Sequence, residues 1–404
     1  MSVLPDYRAF SGRHWETGTV HNALAYQGIK APHTGQAPSE ALLLGVNGGI
    51  AFGYFTFEYT GYLPHLALLT RNTFNPLDTL LERLAIPQEI YRTDNPQKAR
   101  ANLLEVLEGG LPAVVWADMF TLPYNALPYD ERNWAMMPLL VFGCENGTAY
   151  LADRARSPHE VAADVLDKAR GRVKKDQYGV VALGEPNWSR LPAAVSQGIW
   201  QCISLFTEAP PKGKRDNFGL AALEHWANML TNTRNKQSWA RYFEPGERMW
   251  MALAGDVTHH GAYGAIQHAP GGSAERGMYA DFLDEAAAIL NKPALKDAAS
   301  GFRRSTEAWT ALAGMLLPDD VPLLGEARTL LDRKHALFTE QGANALEAIQ
   351  EVNARLQALQ KEAAAHFPLN TAQAASFREK LAAQVLHIRD LEAEAVTTLQ
   401  AAMA

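Results

Sequence analysis

Histidines and hydroxyls gather near the start of the chain, with His14, Thr17, Thr19 and His21 inside eight residues. A threonine hydroxyl becomes a nucleophile when an adjacent base takes its proton, so Thr17 with His14 is one candidate for acyl or amide chemistry. The competing role for a threonine at a helix start is an N-cap, which needs no substrate. A second group, Asp256, His259 and His260 in GDVTHHGAYG, has the spacing that would face one way on a helix and hold a metal. It lacks the H-E-x-x-H pattern, and a non-metal role is expected. Asp281, Asp284 and Glu285 share a helix face, where close carboxylates can divide acid and base work if buried. Opposite Met278 and Phe282, a solvated face is the simpler expectation.

The two cysteines, Cys144 and Cys202, are too few and too far apart for a disulfide framework or a four-cysteine zinc site. Cys202 falls on the apolar stripe Ile199, Cys202, Ile203 and Phe206, and Cys144 ends an apolar run, so both are expected to be buried small hydrophobes. The glycines of GVNGGIAFGYF depart from G-x-G-x-x-G, and no Walker lysine follows. No cofactor and no metal are expected.

These residues must be positioned by an α+β framework. A helical pattern runs from Thr17 to Gln27 and is closed by Gly28. Leu111–Trp116, Leu139–Phe142 and Ala149–Leu151 are short apolar runs bounded by Gly, Pro, Asp and Asn, as strands are. After Pro158 the patterns predict a helix over Val161–Val173, a strand over Tyr178–Leu183, a helix over Ala193–Thr207, a surface loop at APPKGKRDNFG and a helix over Met278–Leu290. Trp226, Trp239, Trp250 and Trp309 lie in helical segments and are expected as core anchors. Near the end, Ala345, Ile349, Val352, Leu356 and Leu359 recur at steps of four and three, and Phe377, Leu381, Val385 and Ile388 repeat the pattern beyond HFPLN. This predicts a long antiparallel helical hairpin whose second helix is opened by a capping box, Asn370 with Gln373. The apolar seam is to be buried either on its own domain or against a second copy, making a homodimer.

A chain of 404 residues exceeds one ordinary core, and 47% hydrophobic content suits globular packing. The net charge of -7 argues against nucleic acid and anionic membrane as partners. No run approaches the roughly 20 apolar residues of a membrane span. The opening MSVLPDYRAFSGRHWE carries no secretory pattern, so a cytoplasmic location is expected.

The blocks GRHWETGTVHNALAYQG, SEALLLGVNGGIAFGYF and LPHLALLTRN, in this order, resemble the amino-terminal domain of the butirosin biosynthesis protein H family. FGLAALEHWANML and PGGSAERGMYADFLDEAAAIL look like the helical domain of unknown function that follows it there. The resemblance covers about residues 10–315 and implies a papain-like domain at 1–157 and a mainly helical one at 158–322, with the hairpin at 323–404 beyond it. It also implies a cysteine at a helix N-terminus that takes an acyl group from a carrier protein and passes it to an amine, activated by a histidine that a carboxylate orients.

Carried over by position, the nucleophile falls on Trp15, after His14, and the base on Met137 or the neighbouring Pro138; neither position can act. The orienting carboxylate falls on Asp153. The resemblance therefore implies a catalytically altered member that binds a small amine, acyl, acyl-carrier-linked or peptide-like ligand in an interdomain cleft. His14, Trp15, Phe52, Tyr54, Glu58, Arg276 and Tyr279 are its expected lining. Two rivals stand beside it: an active transferase or hydrolase using Thr17 with His14, and a scaffold that works through its hairpin.

Overall fold

The computed structural model describes residues 3–174 and 178–404. The first two residues of the opening run and residues 175–177 lie outside it. In chain order, α1 (Glu16–Tyr26), α2 (Glu40–Val46), β1 (Ile50–Phe57), β2 (His65–Arg71), α3 (Pro76–Arg83), β3 (Gln88–Tyr91) and α4 (Pro96–Glu108) come first. Next come β4 (Ala113–Asp118), β5 (Met136–Glu145), β6 (Thr148–Ala152), β7 (His159–Ala162), α5 (Ala163–Arg170) and β8 (Val180–Leu183). Helices follow: α6 (Leu191–Thr207), α7 (Gly219–Thr231), α8 (Trp239–Tyr242), α9 (Glu247–Leu253), α10 (Ala262–Gln267), α11 (Arg276–Ile289), α12 (Leu295–Leu316), α13 (Pro322–Gln341), α14 (Leu346–Ala365) and α15 (Thr371–Met403). The fold is α+β. No helix among the described residues is long and apolar enough to cross a membrane.

The chain packs as two compact units that interleave along the sequence. The first holds the residues up to Leu43, Leu77–Leu191 and His335–Glu351; the second holds Leu44–Pro76, Pro192–Lys334 and Val352–Ala404. Each unit thus draws on more than one of the three stretches delimited at 157 and 322.

The first unit is built on an antiparallel sheet in the order β3-β8-β4-β5-β6-β7. β-Branched and aliphatic residues fill its centre, as Val114, Val115, Leu140, Val141 and Val180 are buried. Asn146 and Gly147, both at positive φ, form the two-residue turn between β5 and β6. Helix α1 lays Val20, Ala23 and Leu24 into this core and packs on β5, and Gly28, at φ 69°, follows its end. The helix expected from Val161 begins two residues later, because His159–Ala162 is strand β7. Its four residues alternate buried and exposed and pair with β6, a period too short to stand out against the helix behind it.

The second unit has one antiparallel pair, β1 with β2, and otherwise helices around a core that contains Phe52, Trp226, Trp239, Trp250 and Trp309. Helix α15 packs against α7 and α12, and its seam of Leu381, Val385 and Ile388 belongs to that core. The capping box at its start is present: the Asn370 side chain accepts from the Gln373 amide at 2.9 Å, and the Gln373 side chain accepts from the Asn370 amide at 3.0 Å.

An ion pair sits inside this apolar unit. Arg276 donates through Nε to Glu392 Oε1 at 2.6 Å and through Nη2 to Oε2 at 3.1 Å. Its remaining protons go to the carbonyls of Ala51, Thr70 and Ala274 at 2.9, 2.8 and 2.7 Å. Glu392 Oε1 also accepts from Ser305 Oγ at 2.9 Å and Trp309 Nε1 at 2.7 Å. Both side chains are fully buried, and all their hydrogen-bonding positions of consequence are met, which is the condition for a buried pair to be tolerated.

Candidate functional site

In the first unit, the entry to α1 is organised by a carboxylate from α2. Glu40 accepts from the Arg13 amide at 2.8 Å, the His14 amide at 2.7 Å and the Thr17 hydroxyl at 3.1 Å. His14 Nδ1 lies 2.8 Å from the same hydroxyl, and both residues are buried. Because Thr17 gives its proton to Glu40, His14 meets the hydroxyl as a donor, the reverse of a base that activates it. Carboxylates are favoured at helix N-termini, so this arrangement is a cap built from a distant residue. Thr17→Val is therefore expected to cost about 1–2 kcal/mol in urea denaturation, with Thr17→Ser near the wild type. A neutral Thr17→Val would sink the capping assignment.

Trp15 stands at the N-cap of α1. The Arg154 guanidinium lies over its ring, 4.6 Å from the centroid, and 4.8 Å from the centroid of Phe338. The cation is held between two aromatic faces. Arg154 is also bidentate to Asp153, through Nε to Oδ1 at 2.8 Å and Nη2 to Oδ2 at 2.9 Å, while Tyr124 donates its hydroxyl to Oδ2 at 2.9 Å. Burial alone would push the Asp153 carboxyl up, but Arg154 outweighs it and holds the pKa below the usual value. His159 stacks on Tyr124 at 3.9 Å and places Nε2 at 2.9 Å from the Asp153 carbonyl; burial depresses its pKa.

The structure thus connects Trp15 to Asp153 through Arg154, a residue the sequence reading passed over, and connects His14 to Thr17 through Glu40, passed over likewise. Met137 is half-buried on β5 opposite Ala117 of β4, and its neighbour Pro138 accepts from Thr19 at 3.4 Å. A charge-bearing residue directly after Asp153 was a signal in the sequence. Phe338, in a helix far downstream, gave none.

The other expected lining residues lie in the second unit, where Phe52, Tyr54, Arg276 and Tyr279 are core. Phe52 stacks on Trp226 at 5.7 Å, Tyr54 accepts from Trp239 Nε1 at 3.2 Å, and Tyr279 meets Phe302 edge-on at 5.2 Å. Gly49, at φ 71°, has to be glycine, because a Cβ there would come within 2.5 Å of the Tyr279 ring. Glu58 is exposed, 3.7 Å from Arg248.

Asp256, His259 and His260 are not on a helix, and the Asp256 side chain accepts from the Thr258 and His259 amides, both at 2.7 Å. Burial pushes its carboxyl up, yet hydrogen bonds from His259 and Thr258 leave it at about 2. Among the described residues no group of three or more His, Cys, Asp or Glu could hold a metal ion. Asp281 and Asp284 share Arg303 on an exposed face. Both cysteines are buried free thiols; burial pushes Cys144 up and Cys202 up to about 12, far from a reactive thiolate.

Residues 14–154 match the family model described as butirosin biosynthesis protein H, N-terminal, and residues 268–320 match a domain of unknown function, DUF4872. No curated protein sequence matches the chain. The second match covers Arg276, Ser305 and Trp309, the residues that hold Glu392. The chain therefore carries an amino-terminal segment of the butirosin biosynthesis protein H type, which contains Trp15, Asp153 and Arg154, together with a DUF4872 segment.

Proposed function

We propose that this protein is a catalytically silent member of its family, a binding protein and not an acyltransferase. The observation that carries the reading is the Arg154 cation seated between Trp15 and Phe338. A thiolate mechanism needs a nucleophile at the helix N-terminus with an imidazole beside it and free amides for the oxyanion. Here an indole takes the nucleophile position implied by the resemblance. A guanidinium, which keeps its proton at any physiological pH, lies between it and Asp153. The Glu40 carboxylate already holds the Arg13 and His14 amides.

The contact of Thr17 with His14 at 2.8 Å favours a second reading, an enzyme with a threonine nucleophile. The competing bond from Thr17 to Glu40 and the burial of both side chains favour the first. One experiment separates them. Wild-type protein mixed with an acyl-N-acetylcysteamine thioester and a primary amine is expected to release thiol no faster than buffer, before and after iodoacetamide. Turnover that survives iodoacetamide and disappears in a folded Thr17→Val variant would establish the second reading instead.

A further inference from the structure

We infer that the second unit carries a binding site for a planar aromatic anion, in the groove between the end of β1 and the stretch from Lys236 to Arg248. The inference names the ligand class for the binding role proposed above and rests on that reading. The groove has a volume of about 650 Å³, within the 300–1,000 Å³ usual for small-molecule sites. Lys236, Arg241 and Arg248 line it, against the single carboxylate of Glu58. This is a cationic surface on a chain whose net charge is -7, so it stands out against its own background field.

Phe57 and Tyr59 also line it, 36% and 58% exposed, with their rings parallel within 1° at 6.4 Å. The stack continues through His65, 5.4 Å from Phe57, to His259, 4.8 Å from His65. Exposed aromatic faces in a row offer a stacking platform, and guanidinium groups beside them offer the fork that matches a carboxylate or phosphate. Arg241 uses Nε on the Thr233 carbonyl and keeps other donors for a ligand. Arg248 and Glu58, each 45% exposed and 3.7 Å apart, form a loose surface pair that an incoming anion displaces easily. A ring and an anionic group on one molecule would meet both halves of the groove. Phosphate and carboxylate present the same chemistry to it, and the test distinguishes them.

Calorimetric titration of the full chain with adenosine 5′-monophosphate, with 2-naphthoate, and with their uncharged counterparts adenosine and 2-naphthalenemethanol reads the two halves separately. At least one of the anions is expected to bind, and its uncharged counterpart about tenfold more weakly. Arg241→Ala with Arg248→Ala should weaken the anion about tenfold and leave the thermal midpoint unchanged, since both side chains are exposed. Phe57→Ala with Tyr59→Ala should weaken charged and uncharged ligands alike. Glu58→Gln should tighten the anion, and added salt should weaken it. Failure of both anions to bind at millimolar concentration, or binding that the arginine pair leaves untouched, overturns the inference. Thioester turnover on the same samples keeps the two proposals apart: turnover with groove binding defeats catalytic silence alone, and silence without groove binding defeats the groove alone.

Discussion

Glu392→Ala is expected to destabilise the second unit by about 3–5 kcal/mol, a large part of the 5–15 kcal/mol that holds an ordinary domain together. The change leaves Arg276 charged and fully buried, with the carbonyls of Ala51, Thr70 and Ala274 as its remaining hydrogen-bond acceptors among the described residues. It also removes the acceptor for Ser305 and Trp309. Replacing both partners by apolar residues, Arg276→Met with Glu392→Leu, should recover much of the loss, because no buried charge is then orphaned. Urea unfolding followed by tryptophan emission, compared between variant and wild type, includes the signal of this unit, whose core holds Trp226, Trp239, Trp250 and Trp309, beside that of Trp15, Trp116, Trp134 and Trp188 in the first unit. A Glu392→Ala midpoint close to the wild type would mean that Arg276 reaches water without cost, contrary to its burial. The same reasoning forbids a clean truncation: removing α15 deletes Glu392 together with Leu381, Val385 and Ile388, so the remainder should aggregate and not survive as a folded core.

The apolar seam of α15 was legible in the sequence because it repeats at helical spacing, and the capping box fixed its start. Its partners were not. A seam of Leu, Val and Ile is equally satisfied by a second copy, by α14, or by α7 and α12, and the choice is made by Glu392, a single charged residue interrupting the stripe. Read alone it is a polar residue on a helix. Only a fully buried arginine from α11 shows that it faces inward, and Arg276 was expected as a pocket residue because it lies in PGGSAERGMY, the block that carries the resemblance of the second domain. The aromatic residues near β1 were misjudged for a related reason: Phe52 and Tyr54 alternate with Gly53 and Phe55, and which face is core depends on where the helices pack.

In the first unit, Trp15 and Asp153 were legible because they occupy positions where a resemblance expects chemistry, while Arg154 showed in sequence only as a charge beside Asp153, its place between two aromatic rings depending on the fold. Glu40 illustrates the same limit. Its capping of α1 spans 27 residues to Arg13, beyond any local capping motif.

Asp153→Ala should be the most damaging single change in the first unit, at about 3–5 kcal/mol, for it strands Arg154 with Asn125 as its remaining side-chain hydrogen-bond acceptor among the described residues and frees the Tyr124 hydroxyl. The same cluster sets how this unit responds to acid. His159 is kept neutral by burial, so its folded pKa lies below the unfolded value of about 6.5. As pH falls through 6.5 the unfolded chain takes up a proton that the folded one refuses, and stability drops by at most about 1.4 kcal/mol per pH unit until the folded pKa is reached. Asp153 is depressed as well, so its contribution is intact above the unfolded value near 3.9 and is lost only as pH falls through its lower folded pKa. The expected profile is level above pH 7, declines as pH falls below 6.5 through His159 until its folded pKa is passed, and declines again below pH 4 through Asp153. Urea midpoints of the wild type and His159→Gln across this range test it, with the glutamine variant losing the upper decline and keeping the lower. If the wild-type midpoint is unchanged from pH 7.5 to 5, His159 titrates freely and the stacked, buried placement against Tyr124 is wrong.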